Sequence, residues 1–329
     1  MMEWTDRHCR VFHRCMTKHA RLYTEMVTAA AVINGDRGYL LGYSPVEHPV
    51  ALQLGGSDPA ELAQAARIGA DLAYDEINLN VGCPSDRVQS GSFGACLMRE
   101  PDLVARCVEA MKNEVDIPVT VKCRIGVDDQ VPADVLPAFA RSMRAAGADA
   151  LIVHARMAWL DGLSPKQNRD VPPLDYPLVY ALKAEHPDWP ISINGGVQTL
   201  EQVEEHLTHM DGVMMGRTAY NEPYVLAAVD SRFFGSKAAL PSRREVLERF
   251  LPYVETELSG GARLNSMARH VIGLFHGAAG ARAFRRYLSE NMHKKGAGPE
   301  VLVAGAQLVP DPDDGVAQRK ERAYAAGDV

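Results

Sequence analysis

Short apolar runs alternate with longer stretches of helical periodicity over the first two thirds of the chain. The short runs are rich in β-branched residues, which predicts buried strands. They are Leu22–Glu25, Val50–Leu54, Glu76–Val81, Val119–Lys122, Ala150–His154, Ile191–Asn194 and Gly212–Met215. The other stretches predict helices over Arg7–His19, Pro59–Ile68, Asp102–Asn113, Ala133–Ala146 and Leu200–Leu207. Repeated strand-then-helix units indicate an α/β fold with a parallel sheet and right-handed crossovers.

This alternation favours a (β/α)8 TIM barrel, although a barrel closes with eight strands and seven are predicted here. The predicted helix Arg7–His19 would be the first barrel helix, and no strand precedes it. An unpaired barrel edge is costly, so we expect the first strand to be truncated, with the natural start upstream of Met1. The alternative is an open seven-stranded sheet.

The alternation ends near residue 240. Three further stretches, Arg243–Leu258, Ala262–Phe275 and Ala281–Lys294, have helical periodicity, and the tail is polar. We therefore predict a barrel domain over 1–240, a small all-helical domain over 241–309 and a disordered tail over 310–329.

The overall charge and the local distribution of charge point to different binding partners. A formal net charge of -7 weighs against a nucleic-acid partner, because phosphate contacts need Lys and Arg. Residues 262–298, however, carry seven Lys and Arg residues against one acid, Glu290. This stretch is either a solvated helix face or a polyanion-binding surface. Nearly unopposed charge on an acidic protein favours the second interpretation.

Several classes of protein are disfavoured by what the sequence lacks. The six cysteines form no C-x-x-C pair and no close Cys/His cluster with zinc-site spacing, so we expect free thiols and no metal. No apolar run approaches the ~18 residues that span a bilayer, and the N-terminus lacks the features of a signal peptide. We therefore expect a cytoplasmic protein without a membrane partner.

Barrel enzymes place their chemistry at the carboxyl ends of the strands. The polar residues predicted there are rich in hydrogen-bond donors: Gln53, Asn78, Asn80, Cys83, Lys122, Arg124, His154, Asn194 and Arg217. They include a thiol and no carboxylate cluster that could bind a metal. This set disfavours a metal hydrolase and suits an anionic or carbonyl-rich ligand.

Two turns after the last predicted strands form a candidate phosphate site. Asn194-Gly195-Gly196 follows one strand and Gly216-Arg217 the next. Glycines let backbone N–H groups approach phosphate oxygens closely, and Arg217 would add charge-assisted hydrogen bonds. The alternative is that these residues are turn glycines only.

The segment Asn78–Ser85 carries the most specific signal. Gly82 and Pro84 would turn the chain so that Cys83 points over the barrel mouth. A thiol with a pKa near the ordinary value of about 8.5 is mostly protonated at pH 7 and can donate a proton. The alternative, a small buried hydrophobe, is our interpretation of Cys9, Cys15, Cys107 and Cys123. Cys96, in a glycine-containing loop, is interpreted as a packing residue.

These motifs closely resemble those of the tRNA-dihydrouridine synthases from Met1 to about Val309. The matching segments are Asn78–Ser85, Val121–Gly126, Val153–Arg156, Asn194–Gly196 and Met215–Arg217. The segments Glu3–Arg7, Leu163–Lys166 and Arg285–Glu290 resemble the A subfamily. The resemblance implies bound FMN, NADPH as reductant, and reduction of the uracil C5=C6 bond at D-loop positions 20 and 20a of tRNA. We expect a monomer.

The resemblance also implies residue roles. Cys83 would be the general acid. FMN would be held by Met1, Met2, Gln53, Lys122, His154, Asn194, Gly195, Gly196, Gly216 and Arg217. Residues that would touch tRNA are Asn80, Lys166, Arg169, Arg285 and Arg286. The family's strand ending in Ala-Pro-Met, which contacts the flavin, is represented here only by Met1-Met2.

Two of these roles have structural alternatives. Lys122 would offset negative charge on the reduced flavin, or else form a salt bridge to a barrel carboxylate such as Glu25. His154 would bind the cofactor or be a structural histidine. For the whole chain, the alternatives are a reductase of free pyrimidines and a tRNA-binding protein that has lost catalysis. A phosphate-binding barrel isomerase is a weaker alternative because it leaves Cys83 unexplained.

Overall fold

The structure, a computed structural model, describes residues 1–85 and 91–310. They form two compact units. One comprises Met1–Arg10 and His19–Thr218, and the other comprises Val11–Lys18 and the described chain from Ala219 onward. The domain boundaries predicted from the sequence stay predictions, and the tail predicted to be disordered lies, apart from Pro310, outside the described residues.

The sheet of the first unit has seven parallel strands, each hydrogen-bonded to its neighbour in chain order. They are β1 (Leu22–Thr28), β2 (Val50–Gly55), β3 (Glu76–Val81), β4 (Val119–Arg124), β5 (Ala150–His154), β6 (Ile191–Asn194) and β7 (Gly212–Met214). The strands curl into a half-barrel with helices around it, which confirms the TIM-barrel-like fold. The eighth strand stays a prediction.

The helices largely follow the predicted periodicity. Those of the described chain are α1 (Arg7–Arg14), α2 (Ala29–Asn34), α3 (Arg37–Leu41), α4 (Pro59–Asp71), α5 (Pro101–Lys112), α6 (Pro132–Ala145), α7 (Tyr176–Glu185), α8 (Leu200–Leu207), α9 (Arg217–Asn221), α10 (Val229–Phe233), α11 (Arg243–Ser259), α12 (Leu264–Val271), α13 (Ala281–Asn291) and α14 (Glu300–Gln307). Short 3₁₀ helices are Pro45–Glu47, Gly94–Arg99, Gln167–Arg169 and Pro223–Ala228. No helix among these is long and apolar enough to cross a membrane.

Two predicted helices, Arg7–His19 and Ala262–Phe275, were too long by several residues, and Ala281–Lys294 was too long by three. α1 ends at Arg14 because its last turn tightens, with the Met16 N–H donating to the His13 carbonyl at 3.0 Å. α12 ends at Val271, two residues before Gly273, where the backbone passes so close to the Asn221 carbonyl that no side chain fits. Neither limit is visible in the helical periodicity.

Side chains of the strands sort onto two faces. In β3 and β4 the outward residues are apolar and fully buried: Ile77, Leu79, Val81, Val119, Val121 and Cys123. The alternate positions of both strands are polar: Glu76, Asn78, Asn80, Thr120, Lys122 and Arg124. TIM-barrel interiors are usually filled with branched apolar side chains, so the polar interior here is adapted to hydrogen bonding.

The second unit is built from helices around an aromatic and aliphatic core. Phe12 and Phe250 make an edge contact with ring centroids 5.2 Å apart, and Phe275 and Phe284 another at 4.8 Å. A capping box at Ser242 begins α11. The all-helical character predicted for this region is confirmed.

Candidate active site

Cys83 lies in the turn that follows β3, and its backbone is held by neighbouring strands and loops. Asn80 Oδ1 accepts hydrogen bonds from the backbone N–H groups of Gly82 and Cys83, both at 3.0 Å. The Ala95 N–H donates to the Cys83 carbonyl at 2.9 Å. The thiol is half-buried, with Sγ 3.5 Å from Ser85 Oγ. The backbone of this turn is therefore fixed on both sides of the thiol.

Three cations lie close to Cys83: Lys122, Arg124 and Arg169. A negative charge on Cys83 would raise the pKa of each of them. Burial dominates, however, and together with the neighbouring cations it lowers the pKa of Lys122 to about 8 and that of Arg124 to about 10. The thiol therefore lies in a strongly cationic part of the barrel mouth.

Lys122 is a half-buried cation for which the described residues supply no counter-ion. No carboxylate among the described residues pairs with it, and the salt bridge to Glu25 that the sequence left open is not formed. Glu25 accepts a hydrogen bond from the Glu3 N–H instead. An ammonium that is withdrawn from water without a partner is costly, so this position suits an anionic ligand.

His154 ends β5 and is 8% exposed, and it lies beside Arg124 in the strand register. Burial, followed by the charges of Arg124 and Lys122, holds the pKa of its imidazole well below the usual range. The ring is therefore neutral at pH 7. It makes no hydrogen bond to any residue that the structure describes, so its nitrogens are available to a ligand.

The turn after β6 requires glycine at two positions. Gly195 has φ +112° and Gly196 has φ +73°. A Cβ on Gly195 would lie 2.5 Å from His154 Cδ2, and one on Gly196 would lie 2.7 Å from Tyr176 Oη. Tyr176 Oη also donates to the Gly195 carbonyl at 2.7 Å, which fixes the turn. Turn geometry and packing both demand these glycines, and their phosphate-binding role stays a prediction.

Side-chain hydrogen bonds link β6 to β7 and hold Arg217 after β7. Asn194 Nδ2 donates to the Met214 carbonyl at 2.7 Å, which links β6 to β7. Arg217 Nη1 donates to Asp170 Oδ1 at 2.7 Å, and this hydrogen bond lowers the pKa of the Asp170 carboxyl. Both side chains are partly exposed, so the pair is weak and the guanidinium can exchange Asp170 for a ligand anion.

Met1 and Met2 differ in exposure. Met1 is half-buried, and its sulfur would lie 3.8 Å from a Cβ built on Gly216, at the end of β7. Met2 is 54% exposed. Met1 is therefore placed beside the predicted cofactor residues, whereas the structure gives no comparable contact for Met2.

A family model described as dihydrouridine synthase (Dus) matches residues 1–308. The chain belongs to the dihydrouridine synthase family. Similar proteins named tRNA-dihydrouridine(20/20a) synthase include one from Shewanella oneidensis, 59% identical over 309 residues, covering 94% of this chain and 92% of the relative. One from Xanthomonas axonopodis is 57% identical over 302 residues, covering 92% and 90%. The resemblance drawn from the sequence motifs is thus confirmed.

A solved structure of 2-naphthoyl-CoA reductase in complex with 2-naphthoyl-CoA supports the fold alone. It aligns with a TM-score of 0.54 at 11% identity. The alignment covers 68% of this chain and 46% of that longer one.

In this member of the dihydrouridine synthase family, the loop 157–170 is an ordered structure that the sequence did not reveal. Asn168 is fully buried; its Oδ1 accepts from the Trp159 N–H at 2.7 Å, and its Nδ2 donates to the Trp159 carbonyl at 2.8 Å. The loop presents Lys166, which is exposed, and Arg169, which is half-buried. An isolated Asn in a polar loop carries no local signal of this role.

Arg124 connects this loop to the Cys83 turn. Its Nε donates to the Gly82 carbonyl at 3.1 Å, and its Nη1 donates to the carbonyls of Met157 at 3.1 Å and Asn168 at 2.9 Å. The sequence placed Arg124 at a strand end, but its bonding partners depend on the tertiary structure.

Arg285 and Arg286 lie on α13 of the second unit. Arg286 is exposed and Arg285 is half-buried. Their predicted contact with tRNA stays a prediction, as do the tRNA-contacting roles of Asn80, Lys166 and Arg169.

Proposed function

We propose that this chain reduces the C5=C6 bond of uridine to 5,6-dihydrouridine at positions 20 and 20a of the tRNA D-loop, with bound FMN and with NADPH as reductant. The observation that carries the proposal is the Cys83 thiol on a fixed turn beside Lys122, which has no counter-ion among the described residues, at the carboxyl ends of adjacent strands. Membership of the dihydrouridine synthase family and the names of its close relatives support it.

The residues present fit an anionic flavin. Lys122 has no counter-ion among the described residues, and His154 has unused ring nitrogens. The Gly195 backbone lies directly against the His154 ring, where a Cβ would come within 2.5 Å of Cδ2. We infer that FMN is held by Gln53, Lys122, His154, Asn194, Gly195, Gly196, Gly216 and Arg217, with Met1 and Met2 beside it. When bound and reduced, FMN supplies a hydride to C6 of the base.

The protein's own contribution is a proton. The uracil C4 carbonyl makes C6 electrophilic, so addition at C6 leaves an enolate whose C5 is basic. Cys83 Sγ–H then donates its proton to C5, and the thiolate left behind is stabilised by Lys122 and Arg124. Solvent returns the proton to the thiolate before the next turnover.

The base must leave the folded tRNA to reach Cys83, since enzymes that modify a base extrude it from the stack. Asn80, Lys166 and Arg169 would contact the extruded nucleotide and its neighbours. Arg285 and Arg286 would bind phosphates of the RNA backbone and recognise its shape. We propose that the protein acts as a monomer in the cytoplasm.

The test is expression of the gene in a bacterial strain that lacks its dihydrouridine synthases, with nucleoside mass spectrometry of the tRNA. Dihydrouridine at positions 20 and 20a is expected from the wild type and from Cys96→Ala, but not from Cys83→Ala. Cys96 is a matched control because it is also half-buried, and its thiol donates to the Phe93 carbonyl at 3.1 Å. Absence of dihydrouridine with the wild type refutes the proposal, and reduction of free uracil instead favours a free-pyrimidine reductase.

A further inference from the structure

Five polar side chains inside the first unit form one continuous hydrogen-bonded chain across β2, β3 and β4. They are Glu76, Thr120, Asn78, Gln53 and Asn80, and none is more than 9% exposed. We call them the strand network. It begins at Glu76, the first residue of β3, and ends at the Cys83 turn.

Every bond in the strand network runs in the same direction. Asn80 Nδ2 donates to Gln53 Oε1 at 2.8 Å, and Gln53 Nε2 donates to Asn78 Oδ1 at 2.8 Å. Asn78 Nδ2 donates to Thr120 Oγ1 at 2.8 Å, and Thr120 Oγ1 donates to Glu76 Oε1 at 2.6 Å. Strand register accounts for this continuity, because Gln53 pairs with Asn78 and Asn78 with Thr120.

Both ends of the strand network impose this direction. At one end, the Glu76 carboxylate pairs with Arg21 and accepts from Tyr23 Oη at 3.0 Å; an ionised carboxylate can only accept. At the other end, the N–H groups of Gly82 and Cys83 can only donate, so Asn80 must present its oxygen to them. Reversing any amide between these ends would place donor against donor.

The direction of the hydrogen bonds determines which donors and acceptors the strand network leaves available at the barrel mouth. Asn80 Oδ1 already accepts two hydrogen bonds, so the polar group that Asn80 keeps available is one N–H of its Nδ2. Gln53 keeps one N–H and one oxygen lone pair by the same count. These two amides border the proposed cofactor and base, where their orientation matters.

We propose that Glu76, Thr120 and Asn78 are positioning residues for the reaction at Cys83. They hold the Gln53 and Asn80 amides in one orientation, and Asn80 in turn holds the backbone of the Cys83 turn. The catalytic part of this inference rests on the proposed function, whereas the structural part does not.

Thr120 allows a matched test in the flavin-loaded protein. Thr120→Val removes the hydroxyl at nearly constant volume, and Thr120→Ser keeps it. Val121→Ala is the control for stability, because Val121 lies on the same strand but faces the apolar core. Hydrogen exchange of the Gly82 and Cys83 amides is followed by mass spectrometry, and exchange of the β6 amides serves as the reference.

In Thr120→Val, Asn78 Nδ2 loses its acceptor and no amide reversal can satisfy it, so the network loosens as far as the turn. We expect exchange of the Gly82 and Cys83 amides, relative to β6, to be about tenfold faster in Thr120→Val, near wild type in Thr120→Ser and unchanged in Val121→Ala. If Thr120→Val does not fold, Glu76→Gln serves in its place, because an amide at that position no longer imposes the direction.

Activity on tRNA provides the second measurement. We expect kcat to fall about tenfold in Thr120→Val with KM for tRNA unchanged, and Thr120→Ser to restore it. Unchanged exchange or unchanged kcat in Thr120→Val overturns the proposal, as does an equal loss of kcat in Val121→Ala. If the wild type itself forms no dihydrouridine, the proposed function fails while the exchange measurement still decides the structural part.

Discussion

Replacing Lys122 by Met is expected to stabilise the flavin-free protein and to weaken its binding of FMN. The Lys122 ammonium is half-buried, and no described residue supplies a counter-ion. Its pKa is lowered from 10.5 to about 8, which corresponds to roughly 3 kcal/mol of destabilisation because a tenfold change in proton affinity is about 1.4 kcal/mol. Methionine has a similar length and carries no charge, so part of this free energy is regained.

The pH dependence has a definite sign. Because the pKa of Lys122 is lower in the folded state, the unfolded state binds more protons between pH 8 and pH 10.5. The free energy of unfolding of the wild type therefore rises across that window, while below pH 8 the destabilisation is fully present. The advantage of Lys122→Met should be about 1 to 3 kcal/mol at pH 7 and should shrink above pH 8.

The assays are urea unfolding of the flavin-stripped protein at several pH values and titration with FMN. Lys112→Met is the matched control, since Lys112 pairs with Asp149 at 2.8 Å and its removal should give no gain in stability. The reasoning is refuted if flavin-free Lys122→Met is no more stable than the wild type at pH 7, or if it binds FMN as tightly.

Three further outcomes are expected. Cys83→Ala should keep bound flavin, visible by its absorbance, yet lose about 10²- to 10⁴-fold in turnover, since it removes the proposed general acid. Wild-type turnover would exclude Cys83 from the reaction. Gly195→Ala should lose flavin on purification, because its Cβ would lie 2.5 Å from His154 Cδ2; full retention would show that the turn can shift. Reversing the charge of Arg285 and Arg286 should weaken tRNA binding and reduce its salt dependence, measured by filter binding at several salt concentrations; an unchanged salt slope would place the RNA contact elsewhere.

The fold could be predicted because its signal is local. β3 lies at Glu76–Val81, as predicted, since its apolar positions pack outward and turn residues bound it. β1 was predicted to end at Glu25 but continues to Thr28, because the register shifts between Tyr23 and Met26 and disrupts the alternation of side chains.

The candidate site was only partly accessible from sequence. The rule that barrel chemistry lies at the carboxyl strand ends located Cys83 and Lys122. The partners of Arg124 and the contact of Tyr176 with Gly195 join residues that are distant in the chain. Asn168 bonds within its own loop, but neither its burial nor its partners follow from the loop's polar composition. The alternating polar positions of β3 and β4 were visible, but the strand network depends on the strand register, which the sequence alone does not supply.

One guanidinium group, that of Arg124, links the turn that carries Cys83 to the loop that carries Lys166 and Arg169. Under the proposed function, affinity for RNA and the rate of protonation would therefore both depend on the hydrogen bonds of this guanidinium. Attempts to redirect the protein to a different nucleotide by remodelling that loop should change the rate of the chemical step as well, so the two properties will have to be optimised jointly.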